Sequence, residues 1–313
     1  MSDAPLRVVL DVDTGIDDAI AIALAVASPH VELVGVTTVA GNVGLSYTTA
    51  NTLRVLDFLG ANHVPVYRGM SRPLDRPLHT AGWVHGPDGL GAATLPSVAR
   101  EPEARSGPQF LADAARAEPG ALTLICVGPL TNLAVALALE PELPRLVRRL
   151  VIMGGAFAVP GNTTPAAEFN IFADPQAAAQ VHAAGFDATW VGLEVTHKTR
   201  FDRAQWESLA GATEPRAALV YLMGRQMFAH PDRATNALHD PLAVAVAIVP
   251  SLVEAPQMSF AVDAGFGMNA GKTLLGLPNQ HADDPAIGQS TGRVARTVDA
   301  DRFAAFFSET LGL

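Results

Sequence analysis

The sequence has a single cysteine, only two lysines and few aromatic residues. Because Cys126 has no partner within the chain, an intrachain disulfide is excluded, which favours a reducing compartment. Aromatic residues make up 6% of the chain, and alanine and valine are abundant. We therefore expect a core of small aliphatic side chains, and a chain of 313 residues is long enough to bury a large one.

Positive charge and long apolar runs are also scarce. The formal net charge is −10, whereas nucleic acids and anionic membranes attract basic proteins. Neither is therefore expected as a partner. No apolar run approaches the ~18–20 residues of a membrane span. The segment Met1–Arg7 shows no signal-peptide pattern, and we expect a cytoplasmic protein.

Strand-like and helix-like stretches alternate along the chain. The predicted strands are Arg7–Leu10, Val31–Val39, Leu122–Val127 and Leu150–Met153. The predicted helices are Asp17–Ala27, Leu45–Leu59, Leu130–Leu139, Gln176–Ala184, Asp240–Val249 and Asp301–Leu311. This alternation predicts an α/β fold with an open, mostly parallel (mixed) sheet flanked by helices. No linker or repeat interrupts the chain, so residues 1–313 are expected to form a single domain that binds ligands at the carboxyl ends of its strands.

Two long segments are predicted to be loops that border a pocket. Gly69–Pro108 is rich in proline and glycine, and Ala229–Leu238 precedes His239. Connections of such length in compact domains are often lids or binding loops.

Four carboxylates follow the first predicted strand: Asp11, Asp13, Asp17 and Asp18. Asp11 and Asp13 point to the same side of an extended segment, whereas Asp17 and Asp18 open a helix, where negative charge is tolerated. Helix capping accounts for the second pair but not for the first, which ends a buried strand. A hard cation would offset the repulsion, and oxygen ligands suit Ca²⁺ or Mg²⁺.

Three motifs compete for this cluster. An EF-hand loop starting at Asp11 fails, because Gly15 stands where an oxygen ligand is needed. A Mg²⁺-dependent phosphatase of the haloacid-dehalogenase type also has Asp-x-Asp after a first strand. That class would leave Asp17 and Asp18 unexplained, and neither Lys198 nor Lys272 lies in a suitable context for its lysine.

The third pattern, Asp-x-Asp-x-Gly-x-Asp-Asp, resembles the signature of the inosine–uridine-preferring nucleoside hydrolases. Further segments are similar to that family in the same order: Val39–Val43, His85–Leu90, Val127–Leu133, Met153–Ala156, Gly161-Asn162, Ala167–Asn170 and His239–Pro241. Each match is weak alone, but the ordered set covers most of the chain. The resemblance implies a Rossmann-like nucleoside hydrolase fold.

The resemblance also implies roles for particular residues. Ca²⁺ would be the cofactor, with a ligand set of Asp13, Asp18, Asp240 and the carbonyl of Val127. The ribose 2′- and 3′-hydroxyls would be bound by Asp17, Asn42, Asn170 and Asp240. The 5′-hydroxyl would be bound by Asn162 and Glu168, with Phe169 against the sugar. Asp13 would act as general base on a calcium-bound water, and Asp11 would support the cluster.

The expected reaction is hydrolysis of the N-glycosidic bond of ribonucleosides to ribose and free base. By resemblance, His239 is a candidate acid for the leaving base, and His85 is a second one. Many pyrimidine- and inosine-cleaving members of the family carry a tyrosine in the helix that leads to this histidine, but here Gly224–Ala234 has none, which leaves the preferred base open. A non-catalytic nucleoside-binding protein is the remaining alternative. The resemblance further implies a homodimer or homotetramer.

Overall fold

The computed structural model describes residues 4–91, 93–276 and 290–313. Its strands are β1 (Leu6–Val12), β2 (Val31–Thr38), β3 (Val66–Arg68), β4 (Leu122–Cys126), β5 (Arg149–Met153), β6 (Ala188–Val191), β7 (Arg200–Asp202), β8 (Thr235–Ala237), β9 (Val253–Glu254), β10 (Gln257–Val262), β11 (Thr273–Leu275), β12 (Thr291–Val294) and β13 (Thr297–Val298).

The α-helices are α1 (Ile16–Ala27), α2 (Leu45–Phe58), α3 (Gly82–His85), α4 (Gly107–Ala117), α5 (Thr131–Leu139), α6 (Leu143–Leu146), α7 (Phe169–Ala173), α8 (Pro175–Ala183), α9 (Leu193–Thr196), α10 (Arg203–Ser208), α11 (Pro215–Met227), α12 (His239–Ile248) and α13 (Ala300–Leu311). A short 3₁₀ helix, Pro250–Leu252, follows α12. Among the described residues, no helix is both long and apolar enough to cross a bilayer.

Nine of the described strands form one sheet in the order β11-β10-β12-β6-β5-β4-β1-β2-β3. Neighbours from β12 to β3 run parallel, whereas β10 is antiparallel to both β11 and β12. The mostly parallel, mixed sheet predicted from the sequence is therefore confirmed. The chain proceeds from β1 to β2 and β3 on one side, and through β4, β5 and β6 on the other. This reversal opens a crevice at the carboxyl ends of β1 and β4.

Helices cover both faces of the sheet. On one face, α1 packs against α11, α12 and α13, and its residues from Asp18 to Ala25 are all buried. A helix that is apolar on nearly every side is typical of a core position. On the other face, α5 packs against α4 and α8. The central position of α1 places its first turn directly beneath the crevice.

The elements predicted from hydrophobic patterns are present, with ends shifted by at most two residues. The two predicted loops were partly wrong. Gly69–Pro108 contains α3 and ends inside α4, and its residue 92 lies outside the described residues. Ala229–Leu238 contains β8, which pairs with β7. A one-turn helix and a three-residue strand are too short to show a period, so packing decides them.

Cys126 gives a first testable prediction. Its thiol is buried, and burial, followed by the nearby Asp11 carboxylate, raises its pKa well above the usual range. A thiol reagent such as DTNB reacts with thiolate, so the native protein should not be labelled. One equivalent should react after unfolding in guanidinium chloride. Rapid labelling of the native protein would contradict this placement.

Candidate active site

The crevice holds a cavity of about 440 Å³. Its walls come from segments far apart in the chain: the first turn of α1, the turn after β2, α3, the end of β4, the start of α7 and the start of α12. The predicted site residues that line it are Asp17, Asn42, His85, Val127, Asn162, Glu168, Phe169, Asn170, His239 and Asp240. The tertiary structure thus brings most of the site residues implied by the resemblance to one cavity.

Asp13 and Asp18 do not line this cavity and are fully buried beside it. The Asp18 carboxylate accepts hydrogen bonds from the backbone N–H of Asp13 at 3.0 Å and of Gly15 at 2.9 Å, so it caps α1. Asp13 Oδ2 accepts from the backbone N–H of Asn42 at 2.7 Å. Among the described residues, Asp13 Oδ1 has no hydrogen-bond partner.

A cluster that could bind a metal ion is formed by Asp17, Asp18 and Asp240, which offer carboxylate oxygens within 4.8 Å of one another. The cluster includes Asp17, whereas the predicted ligand set has Asp13 and the Val127 carbonyl instead. Asp13 nevertheless lies near this cluster. Burial raises the pKa of Asp13, and the charge of Asp18 is the next largest cause.

The electrostatics of this cluster favour a cation. Burial raises the pKa of Asp18 to about 7, with the charge of Asp17 as the next cause. Burial and then Asp17 likewise raise the pKa of Asp240 well above its usual range. A buried charge is costly unless it is paired, and an unpaired carboxylate oxygen on Asp13 adds to that cost. The oxygen-only donor set fits a hard divalent cation such as Ca²⁺ or Mg²⁺.

Two asparagines lie beside the cluster, and hydrogen bonds fix the orientation of their side-chain amides. Asn42 Nδ2 donates to Asp18 Oδ2 at 3.0 Å. Asn170 Nδ2 donates to the carbonyl of Val127 at 2.7 Å, so this carbonyl, a predicted metal ligand, already accepts one hydrogen bond and keeps one lone pair. Because both NH₂ groups face acceptors, both Oδ1 atoms remain to accept hydrogen bonds from hydroxyl groups.

Glu168 and Asn162 also line the cavity. Glu168 caps α7, with its carboxylate accepting from the backbone N–H groups of Gly155, Asn170 and Ile171. Burial raises its pKa to about 7 despite these hydrogen bonds. Asn162 Oδ1 accepts from the N–H of Phe169 at 2.9 Å, which leaves its NH₂ group for a ligand.

Both candidate histidines lie on the cavity wall. His85, at the end of α3, accepts a hydrogen bond at Nδ1 from the backbone N–H of Ile16 at 3.0 Å. A Cβ at position 15 would collide with this ring, so Gly15 allows the close approach. His239 Nδ1 lies 2.9 Å from Thr196 Oγ1. Burial lowers the pKa of His85 and lowers that of His239 to about 4.

Asp11, predicted to support the cluster, does not line the cavity. Its Oδ1 accepts from Thr37 Oγ1 at 2.5 Å and from Asn132 Nδ2 at 2.7 Å. Asn132, which was not among the predicted site residues, also accepts at its Oδ1 from the N–H of Met70. Asn132 therefore joins the end of β1 to the loop after β3. The sequence feature that could have predicted a role for Asn132 is its position within the Val127–Leu133 segment that is similar to the family.

Comparison with known proteins identifies the family. The family described as "Inosine-uridine preferring nucleoside hydrolase" matches residues 8–305. The chain belongs to this family.

Individual relatives span nearly the whole of this nucleoside hydrolase. "Probable uridine nucleosidase 2" of Arabidopsis thaliana is 37% identical, over 94% of this chain and 94% of its own. "Pyrimidine-specific ribonucleoside hydrolase RihB" of Escherichia coli is 35% identical, over 97% and 96%. The solved "Plant nucleoside hydrolase - PpNRh1 enzyme" has a TM-score of 0.92 at 35% identity and covers 98% of this chain and 99% of its own. The "Purine-Preferring Ribonucleoside Hydrolase from Gardnerella vaginalis" has a TM-score of 0.87 at 32% identity, with 97% and 98% covered.

The nucleoside hydrolase is an enzyme that cleaves the N-glycosidic bond of ribonucleosides to ribose and free base. The acidic cluster alone also allowed a phosphatase or a non-catalytic binding protein. The family membership excludes both alternatives in favour of this activity. The fold class inferred from the resemblance is confirmed by the same structural neighbours.

The nucleoside hydrolase cavity also has a polar wall that sequence reasoning did not assign. Gln226, His230, Arg233 and Asn236 line it together with Trp83 at the rim. These residues lie in segments without a hydrophobic period. The only sequence feature that could have predicted their place in the cavity is that they lie shortly before His239. Tyr221 does not line the cavity and instead stacks on Trp206.

Proposed function

We propose that this enzyme is a Ca²⁺-dependent ribonucleoside hydrolase in which Asp13 is the general base. The observation that carries the proposal is the unpartnered, buried Oδ1 of Asp13, next to the carboxylates of Asp17, Asp18 and Asp240 at the crevice of the sheet. Asp13, Asp18, Asp240 and the Val127 carbonyl would hold the ion. Bound there, Ca²⁺ supplies positive charge that lowers the pKa of water and attracts ribose hydroxyls.

Residues around the cavity would bind the ribose. The Oδ1 atoms of Asn42 and Asn170 accept hydrogen bonds from the 2′- and 3′-hydroxyls, together with Asp17 and Asp240. Asn162 donates to the 5′-hydroxyl beside Glu168, and Phe169 packs on the ribose. As the bond from C1′ to the base breaks, positive charge develops on the sugar, and the surrounding carboxylates stabilise it. Asp13 Oδ1 takes the proton from the attacking water.

We further propose that uridine is among the substrates. Two relatives at 37% and 35% identity carry names that specify uridine or pyrimidine nucleosides. The polar wall formed by Gln226, Arg233 and Asn236 suits the two carbonyls of uracil. The purine-preferring relative at 32% identity makes inosine the competing substrate.

The proposal is tested by incubating the enzyme with uridine, cytidine, inosine and adenosine and measuring free base by chromatography. Each reaction is run as purified, after EDTA treatment and gel filtration, and after addition of Ca²⁺ or Mg²⁺. We expect base release from uridine, loss of activity after EDTA, and recovery with Ca²⁺. Full activity after complete metal removal, verified by elemental analysis, would exclude the metal role. Absence of product from every nucleoside would exclude the proposed function.

A role for His239 in departure of the base gives a specific prediction. His239→Ala should lower kcat on uridine by about 10²-fold, the lower end of the range for loss of one hydrogen-bond donor that stabilises charge in the transition state. On p-nitrophenyl riboside the loss should be small, because nitrophenolate leaves without assistance. His63→Ala, at an exposed position after α2, is the matched control and should behave as wild type. Equal losses on both substrates would contradict the role.

Other features of the enzyme remain proposals. A homodimer or homotetramer rests on the family resemblance alone, and native mass spectrometry would test it. A single domain over residues 1–313 is supported by the sheet, which contains strands from Leu6 to Val294. A cytoplasmic location rests on the sequence analysis.

A further inference from the structure

We propose that Thr196 is a positioning residue that holds His239 in the tautomer with the proton on Nε2, so that both cavity histidines act as hydrogen-bond donors to the departing base. The proposal rests on the proposed function, because it concerns the leaving-group side of that reaction. Thr196 ends α9 and is fully buried, and it does not line the cavity.

The hydrogen bond of His85 fixes its tautomer. A backbone N–H can only donate, so the Nδ1 atom that accepts from Ile16 carries no proton. A neutral imidazole has one protonated nitrogen, and in His85 this is Nε2. The ring is buried against the first turn of α1, which prevents it from turning over.

For His239 the hydroxyl of Thr196 decides the tautomer. A hydroxyl can donate or accept, so the 2.9 Å contact with Nδ1 alone allows either direction. Among the described residues, Thr196 Oγ1 has no other hydrogen-bond partner. If Nδ1–H donated to it, the buried hydroxyl proton would have no acceptor, and an unmade buried hydrogen bond is costly. Thr196 therefore donates to Nδ1, and the proton of His239 lies on Nε2.

This arrangement changes the role of His239. A neutral imidazole that keeps its only N–H proton stabilises the base by a hydrogen bond and does not transfer a proton to it. When the C1′–N bond breaks, its electron pair remains on the base nitrogen. Nε2–H of His239 donates to the negative charge that develops on the base. The water that is consumed supplies hydroxide to C1′ and, through Asp13, the proton that finally neutralises the base.

The experiment compares Thr196→Val, which removes the hydroxyl at nearly constant volume, with Thr196→Ser, which keeps it. With uridine, we expect Thr196→Val to lower kcat about tenfold with little change in KM, the loss of one hydrogen bond. With p-nitrophenyl riboside its kcat should stay within about twofold, since that leaving group needs no donor. Thr196→Ser should be close to wild type on both substrates. Thr123→Val is the control for a buried threonine in a strand.

Nitrogen NMR of protein labelled with ¹⁵N-histidine reads the tautomer directly, with the His239 signals assigned by their absence in His239→Ala. We expect an unprotonated, hydrogen-bonded Nδ1 and a protonated Nε2 in wild type, and a shifted Nδ1 signal in Thr196→Val. A protonated Nδ1 in wild type would overturn the proposal, as would equal kinetic losses on the two substrates or a Thr196→Val variant with wild-type kcat on uridine. If Thr196→Val does not fold, the wild-type spectrum decides. Because the spectrum needs no turnover, failure of the proposed function would be recognised separately, by absence of base release from wild type.

Discussion

Replacing Asp13 with asparagine should lower kcat on uridine by about 10³-fold or more, within the range for loss of a general base, while the protein stays folded. The amide oxygen of the new side chain can keep the hydrogen bond that Oδ2 accepts from the Asn42 N–H. The free Oδ1 is then replaced by an NH₂ group that neither accepts a proton nor binds a cation. The measurement is kcat on uridine and on p-nitrophenyl riboside, and both should fall alike because the water attacks in both reactions.

The same variant has an opposite expected effect on stability. In EDTA at neutral pH, Asp13→Asn should unfold at a higher temperature than wild type. Burial and then the charge of Asp18 raise the pKa of Asp13 in the folded protein, which destabilises the native state above the pKa of the unfolded chain, and asparagine removes this penalty. Added Ca²⁺ should stabilise wild type more than the variant, since a ligand that binds the native state raises its stability. Differential scanning fluorimetry measures both. Asp301→Asn, at an exposed position of α13, is the control. If Asp13→Asn kept wild-type turnover, Asp13 would not be the base.

2′-Deoxyuridine should be cleaved about 10⁴-fold less efficiently than uridine, measured as kcat/KM. Asn42 and Asn170, whose amide groups are already oriented, line the cavity together with Asp17 and Asp240. In the proposed site, a substrate without the 2′-hydroxyl would leave these acceptors and the proposed cation without a partner, in the transition state as well as in the bound complex.

A comparison with 5′-deoxyuridine sharpens this prediction. In the proposed site the 5′ end would face Asn162 and Glu168, and the Glu168 carboxylate already accepts from three backbone N–H groups. Loss of the 5′-hydroxyl should therefore cost only about tenfold, the value of one hydrogen bond. Cleavage of 2′-deoxyuridine at a rate within tenfold of uridine would contradict the assignment of the ribose site.

Much of the fold could be predicted because the strands of the parallel region are buried on both faces. Continuous apolar runs such as Leu122–Cys126, separated by periodic helices, carry a signal that single-sequence reasoning can recognise. The part beyond β6 was less predictable. Strands β10, β11 and β12 lie at the antiparallel edge of the sheet, and the exposed positions among them weaken the pattern.

The order of residues along the chain fixes which side chains end the strands of the crevice, because Asp13 follows β1 directly and parallel strands bring their carboxyl ends to one edge. It could not determine which carboxylates group together. The first turn of α1 brings Asp17 and Asp18 next to Asp240, and burial beneath the cavity leaves Asp13 outside the lining. The contact between Thr196 and His239 likewise joins residues 43 positions apart. Such contacts depend on how α9 and α12 pack on the sheet, and this packing involves residues too far apart in sequence for a local pattern to predict.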